Sequence, residues 1–240
     1  MKCVPMTALT LKPSLMRVGA KRKLVIMVSS QPLPGYTVED YLVLERESED
    51  RHEYLDGEVY LMAGESPEHG TICMNLSVSI GSQLRGTPCQ AFAKDTKVRS
   101  GPNPLPGQPM KGLFSYPDLL VVCGDLQFHD QFRDVLLNPT LIVEVLSEST
   151  EAFDRGEKFR RYRTWLPTLM DYLLVAQDKP LIDHYHRVEA NRWELVSIEG
   201  IEASFHLELL NFTLRLVDIY DRIIFPTEAP EAPEPPSSSY

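Results

Sequence analysis

The chain has 240 residues, 43% hydrophobic and 24% charged, with 34 acidic residues against 24 basic ones and a net charge of -10. That length supports one sizeable core or at most two small domains of the ordinary soluble globular class. No stretch approaches the roughly 18 continuous apolar residues that span a bilayer, so no membrane partner is expected, and an acidic body is a poor nonspecific binder of nucleic acid.

The charge is unevenly spread. Residues 1–24 carry Lys2, Lys12, Arg17, Lys21, Arg22 and Lys23 and no acid, which leaves 18 basic residues for the rest of the chain. Residues 1–34 read as an irregular basic extension. Its apolar run KLVIMV is too short for a secretory signal. Organised sequence begins near Tyr36.

Thr37 can cap a helix whose first turn holds Glu39 and Asp40 and which runs to about Glu47. In RHEYLDGEVYLM, Asp56-Gly57 separates two alternating strands and signals a two-residue hairpin. Ser66 followed by Pro67 marks the next helix start. Ile72, Leu76, Ile80 and Leu84 put one face of that helix in the core, and Gly86 is placed to end it. Residues 89–99 read as one strand. Residues 100–113 hold four prolines and three glycines and form a loop. Two buried strands follow, 119–123 and 141–146. Residues 154–166 read as an amphipathic helix, ended by Pro167. MDYLLVAQD is a further buried strand, and IDHYHRV with RWELVSI makes a hairpin turning at 189–191. Strand and helix pattern returns over 205–225. Residues 226–240, rich in Pro, Glu and Ser, hold no core-forming residues and are expected to be disordered. The fold class is therefore α/β in the mixed α+β sense, one domain over 35–225.

Cys3, Cys73, Cys89 and Cys123 form no C-x-x-C pair. All four are expected as reduced thiols in a cytoplasmic protein, with no zinc site. No phosphate-loop, dinucleotide or nucleophile-elbow motif occurs. His184 and His186 share a strand face, but the sequence offers them no evident third ligand.

Two strands each carry an acid where a core wants none. Asp118 opens the first, and Glu144 sits inside LIVEVL, a run that reads as buried on both faces. A buried carboxylate is costly unless a cation or hydrogen bonds meet it. Two on successive strands point to a shared hard cation, Mg2+ or Mn2+, with a backbone carbonyl such as that of Val145 nearby. The next helix brings Lys158, which can orient water or stabilise phosphoryl charge. A structural alternative stays open, in which Asp118 caps a strand and Glu144 pairs with an arginine. Arg155, Arg160, Arg161 and Arg163, with Lys94, Lys97 and Arg99, either track phosphates or form a solvated face.

In order and spacing, RHEYLDGEVYLMAGESPEHGTI, YPDLLVV, LIVEVLSEST, DRGEKFRRY and DYLLVAQD resemble the Uma family of restriction-endonuclease-like proteins, in the PD-(D/E)XK nuclease superfamily. The resemblance covers roughly residues 36–225. It implies a restriction-endonuclease-like central mixed sheet flanked by helices, with additional antiparallel strands. It also implies Mg2+-dependent hydrolysis of phosphodiester bonds in DNA, with a homodimer allowed. A noncatalytic nucleic-acid-binding or protein-interaction module on the same fold is the alternative.

Asp118 matches the acid of the family's P-D and Glu144 the second-strand acid, the two implied metal ligands. The superfamily's usual lysine, two residues further on the same strand face, is Leu146 here. The Uma family shares that departure, and Lys158 matches the lysine of its K-x-x-x-Y. Tyr162 lies one turn further on the same helix face. Glu53 matches the acid of R-x-E, as a further ligand or a partner of Arg51 or Lys158. His69 matches the E-H pair, and Gln177 falls where the family often has a polar residue. The plain alternatives for these three are an exposed hairpin acid, a helix cap and a loop start.

Overall fold

The computed structural model describes residues 35–102 and 111–225. The expectations for 1–34, for the middle of the proline-rich loop and for 226–240 lie outside the described residues.

Local chemistry starts the first elements where the sequence places them. In α1 (Val38–Glu47) the Thr37 hydroxyl accepts from the Asp40 amide while the Asp40 carboxylate accepts from the Thr37 amide, a capping box. Strands β1 (His52–Leu55) and β2 (Glu58–Leu61) join through Asp56 and Gly57, at φ 52° and 99°. Two successive positive φ angles are what a tight hairpin turn requires. Ser66 caps α2 (Pro67–Gln83), and Ile72, Leu76 and Ile80 are fully buried along one face.

Residues 89–99 form two strands rather than one. A turn in which the Thr96 amide donates to the Ala93 carbonyl separates β3 (Cys89–Ala93) from β4 (Lys97–Ser100). The polar residues Lys94, Asp95 and Thr96 are the break, and the two strands enter different sheets. The remaining strands are β5 (Leu113–Ser115), β6 (Leu119–Cys123), β7 (Val135–Leu136), β8 (Leu141–Val145), β9 (Asp171–Val175), β10 (Leu181–Glu189), β11 (Arg192–Glu199), β12 (Ser204–Leu207) and β13 (Phe212–Arg215).

The central sheet is six-stranded, in the order β11-β10-β9-β8-β6-β3. The additional strands make a five-stranded sheet, β2-β1-β5-β4-β7, and the hairpin β12-β13. Each larger sheet contains one parallel pair, β8 with β9 and β4 with β7. This is the mixed α+β architecture expected from the sequence. The parallel pair β8–β9 needs a crossover. It is supplied by α3 (Glu151–Phe153), a π-helical turn (Asp154–Lys158) and α4 (Phe159–Trp165). The continuous helix expected over 154–166 thus starts three residues earlier and contains a π turn.

Both faces of β6, β8 and β9 are covered, which accounts for their near-continuous apolar runs. Leu119, Val121, Val143 and Leu173 pack toward α2, the β12–β13 hairpin and the short helix α5 (Leu216–Ile219). Leu120, Ile142 and Leu174 pack against Phe159 and Tyr162 of α4. A third cluster joins α1 to the five-stranded sheet through Tyr41, Tyr54 and Phe114.

The reading of all four cysteines as reduced is corrected at Cys89 and Cys123, which form a disulfide. They lie directly opposite one another in the β3–β6 register, with Cα atoms 4.0 Å apart. A pairing across 34 residues is set by strand register, which spacing does not reveal. Cys73 is a buried free thiol, and Cys3 lies outside the described residues. No helix among the described residues is long and apolar enough to cross a membrane.

Candidate active site

The β6–β8 register pairs Leu119 with Val143. Asp118 immediately precedes this pair and Glu144 immediately follows it, so the two acids come to neighbouring strand ends. Asp118 Oδ2 accepts the Val145 amide at 2.7 Å and faces His69 Nε2 at 3.3 Å. Asp118 therefore does tie down a strand, but its partner acid pairs with a lysine and not with an arginine.

Lys158 is the hub. Its Nζ lies 2.9 Å from Glu144 Oε1, 3.2 Å from Asp154 Oδ1 and 3.7 Å from Glu53 Oε1. Leu146, at the strand position where a lysine would be usual, is buried with the α4 core. Lys158 instead reaches Glu144 from the crossover. The π turn carries Asp154 and Lys158 together, and π turns recur at functional sites. The Tyr172 hydroxyl donates to the Asp154 carbonyl at 3.0 Å, tying the π turn to β9. Tyr162 places its hydroxyl 2.7 Å from Ser115 Oγ and donates to Glu144 Oε1 at 3.3 Å. Glu53 arrives from β1, fixed by the Tyr116 amide at 3.1 Å. The acids of two sheets thus meet at one ammonium.

The electrostatics follow from burial. The Glu144 and Lys158 side chains are 4% and 6% exposed, while Asp118 and Glu53 keep 15% and 18% and form the open end. Burial pushes Glu144 well above the usual carboxylate range, against the opposing pull of Lys158. Burial raises Glu53 likewise. For Lys158, burial favours the neutral amine, but Glu144, Glu53 and Asp154 outweigh it and hold the ammonium charged. For Asp118, burial acts upward, yet His69, the Val145 amide and Lys158 bring it below its usual value. Among the described residues, three carboxylates lie within 3.7 Å of one ammonium, with Asp118 beside them. A proton or an added cation relieves that excess.

Of the sequence candidates, Asp118, Glu144, Lys158, Glu53, Tyr162 and His69 are brought together. His69 also sits 3.0 Å from Glu65 Oε2 and 3.4 Å from Cys73 Sγ. Gln177 stands apart from the acids. It donates to the Leu146 carbonyl at 2.5 Å and accepts from Ser66 Oγ at 2.9 Å, pinning the end of β8 to the cap of α2. Asp154 and Glu65 were not singled out from the sequence. Asp154 has a readable signal, since it lies four residues before Lys158.

The basic helix face is largely neutralised. Arg155 pairs with Glu151 and Asp183, Arg160 with Glu157, and Arg161 with Glu157 and Asp56. Lys97 is buried against Asp134 and Tyr116, and Arg99 is buried too. Lys94, paired with Glu65, remains near Asp118, and Arg51 pairs with Asp95. A surface groove along α2, lined by Pro67, Gly70, Thr71 and Met74, contains none of these carboxylates.

Two uncharacterized proteins of Synechocystis sp. are similar to the chain. One is 35% identical over 194 residues, covering 80% of this chain and 95% of the relative. The other is 29% identical over 174 residues, covering 72% and 93%. A crystal structure from Anabaena variabilis, titled a "putative nuclease belonging to DUF820", superposes with a TM-score of 0.61 at 15% identity, covering 79% of this chain and 99% of that one. It shows the fold. The family model Uma2, described as "Putative restriction endonuclease", matches residues 38–217. The chain belongs to the Uma2 family.

Proposed function

We propose that the chain is a Mg2+- or Mn2+-dependent endonuclease hydrolysing phosphodiester bonds in DNA. The observation that carries this reading is the excess of buried carboxylate around Lys158, with Asp118 at its solvent end. An all-oxygen donor set fits a hard divalent cation. Asp118 and Glu144 would hold the ion. Bound there, it would supply an activated water and neutralise charge on the scissile phosphate.

The surrounding residues prepare that chemistry. Lys158, kept charged by its carboxylates, orients the attacking water or meets the charge that develops on the phosphoryl oxygens. Tyr162, braced by Ser115, holds Glu144 in place. His69, backed by Glu65, orients Asp118. Lys94 feels the charge of Asp118 and adds local positive charge to an acidic body, although Glu65 pairs with it. What a phosphate meets is that local field.

One observation favours a second reading, a noncatalytic module on the same fold. The Lys158 ammonium at 2.9 Å already serves Glu144 as a counter-ion. The test is cleavage of plasmid DNA with Mg2+ by the wild type, Asp118→Asn and Glu144→Gln, alongside calorimetric titration of Mn2+. Metal-dependent cleavage lost in both folded variants is the expected result. Cleavage that survives Asp118→Asn overturns this assignment. Absence of both cleavage and millimolar metal binding selects the noncatalytic module.

A further inference from the structure

A second group of ligands lies on the other face of the central sheet. Asp171 opens β9, and the β9–β10 register sets it directly opposite His186, with His184 two residues away on the same face. Leu173, on the Asp171 side of β9, packs toward α2, whereas Leu174 and Glu144 face α4. The group is therefore separate from the acid cluster. The third ligand that the sequence did not offer His184 and His186 is a residue 13 and 15 positions before them.

We propose that Asp171, His184 and His186 form a second divalent-metal site, suited to a borderline ion such as Zn2+. His184 Nε2 and His186 Nδ1 converge on the same oxygen, Asp171 Oδ1, at 2.7 and 2.8 Å. All three ligand atoms lie within 4.8 Å of one another. Tetrahedral zinc with bonds near 2.0–2.1 Å sets its ligands about 3.3 Å apart, so a shift of about half an ångström admits the ion.

The independent observation is the other carboxylate oxygen. Asp171 is buried, and among the described residues its Oδ2 has no hydrogen-bond partner. A carboxyl oxygen left bare in a sheet interior is costly. An ion bound by both carboxylate oxygens would satisfy it. The site opens to solvent through the imidazoles, whose side chains are 12% and 36% exposed. The Phe205 ring flanks His184 at 5.5 Å. Glu194 pairs with His186 from β11, on the same face, and is placed to give a fourth donor. Two imidazoles and one carboxylate suit Zn2+ or Co2+ and are a poor match for Mg2+.

The test uses the full chain carrying Asp118→Asn, titrated with Zn2+ in excess Mg2+. Adding His184→Gln and His186→Gln removes the ring donors, and each glutamine amide can still donate to Asp171. Circular dichroism checks that this variant folds. Cys73→Ser separately disables the other candidate cluster, Glu65, His69 and Cys73. One equivalent of Zn2+ should bind, unaffected by Cys73→Ser and weakened more than about a hundredfold by the double glutamine change, beyond what outer-shell partners cause. The Co2+ form should lack a thiolate-to-metal charge-transfer band. Binding that survives the glutamine changes, a thiolate band, or no binding at micromolar Zn2+ overturns the proposal.

Discussion

Lys158 reaches Glu144 at 2.9 Å from a π-helical turn, while Leu146, two residues beyond Glu144, is packed into the core. The cation and the acid come from different elements, so their meeting depends on how the crossover docks on β8. Lys158→Met deletes that cation and leaves Glu53, Glu144 and Asp154 crowded together. Breaking a buried ion pair by removing one partner costs about 3–5 kcal/mol. Urea unfolding in EDTA should show that loss, and added Mn2+ should recover part of it by binding the folded state. Unchanged stability in EDTA would contradict the role given to Lys158.

Glu144 gives the metal-free protein a pH signature. Its folded-state value lies above the ordinary 4.5, chiefly through burial. The folded chain then binds the proton more tightly than the unfolded chain, so stability falls as pH rises from about 4.5 toward the folded value. Asp118 has the opposite sign: it is depressed below 3.8, and its contribution disappears as pH falls through that range. Glu144→Gln should flatten the decline above about pH 4.5 and leave the acid limb in place. Thermal unfolding across pH in EDTA reads both limbs. Parallel curves for variant and wild type would refute the assignment.

Tyr162→Phe removes a buried hydroxyl that serves both Ser115 and Glu144. The Ser115 hydroxyl then loses this partner in the interior, at a cost of about 1–2 kcal/mol. Chemical denaturation should show that loss with an unchanged denaturant slope. A loss above about 4 kcal/mol would mean that the ring packing, too, had been disturbed.

Arg161 joins α4 to the first hairpin through Asp56, at 2.6 and 3.0 Å. Asp56 is partly exposed, so solvent screening limits the cost of Arg161→Ala to about 1 kcal/mol. Arg160, on the outside, is occupied by Glu157. Arg160→Ala should leave the salt dependence of DNA binding unaltered. A slope smaller by about one unit would instead place Arg160 on a phosphate.

The elements legible in the sequence are those fixed by neighbours in the chain. Thr37, Asp56-Gly57 and Ser66-Pro67 each act within four residues, and each starts or turns its element as read. The nearness of Asp118 to Glu144 was legible because one acid opens an apolar run and the other interrupts one. The break between β3 and β4 was not, because the residues on both sides keep strand pattern. The disulfide, the π turn and the convergence of Asp171 on two histidines are products of register and docking. Asp154 was not singled out, because its place beside Glu144 depends on how the π turn docks.

Glu53 belongs to the five-stranded sheet and Glu144 to the six-stranded one, and Lys158 touches both. The cluster is therefore a latch between two sheets as well as a site on one of them. A fluctuation that parts the sheets must first release that ammonium. Amide hydrogen exchange in β1 and β8 should accordingly slow in step when a cation binds, although 91 residues separate Glu53 from Glu144 along the chain.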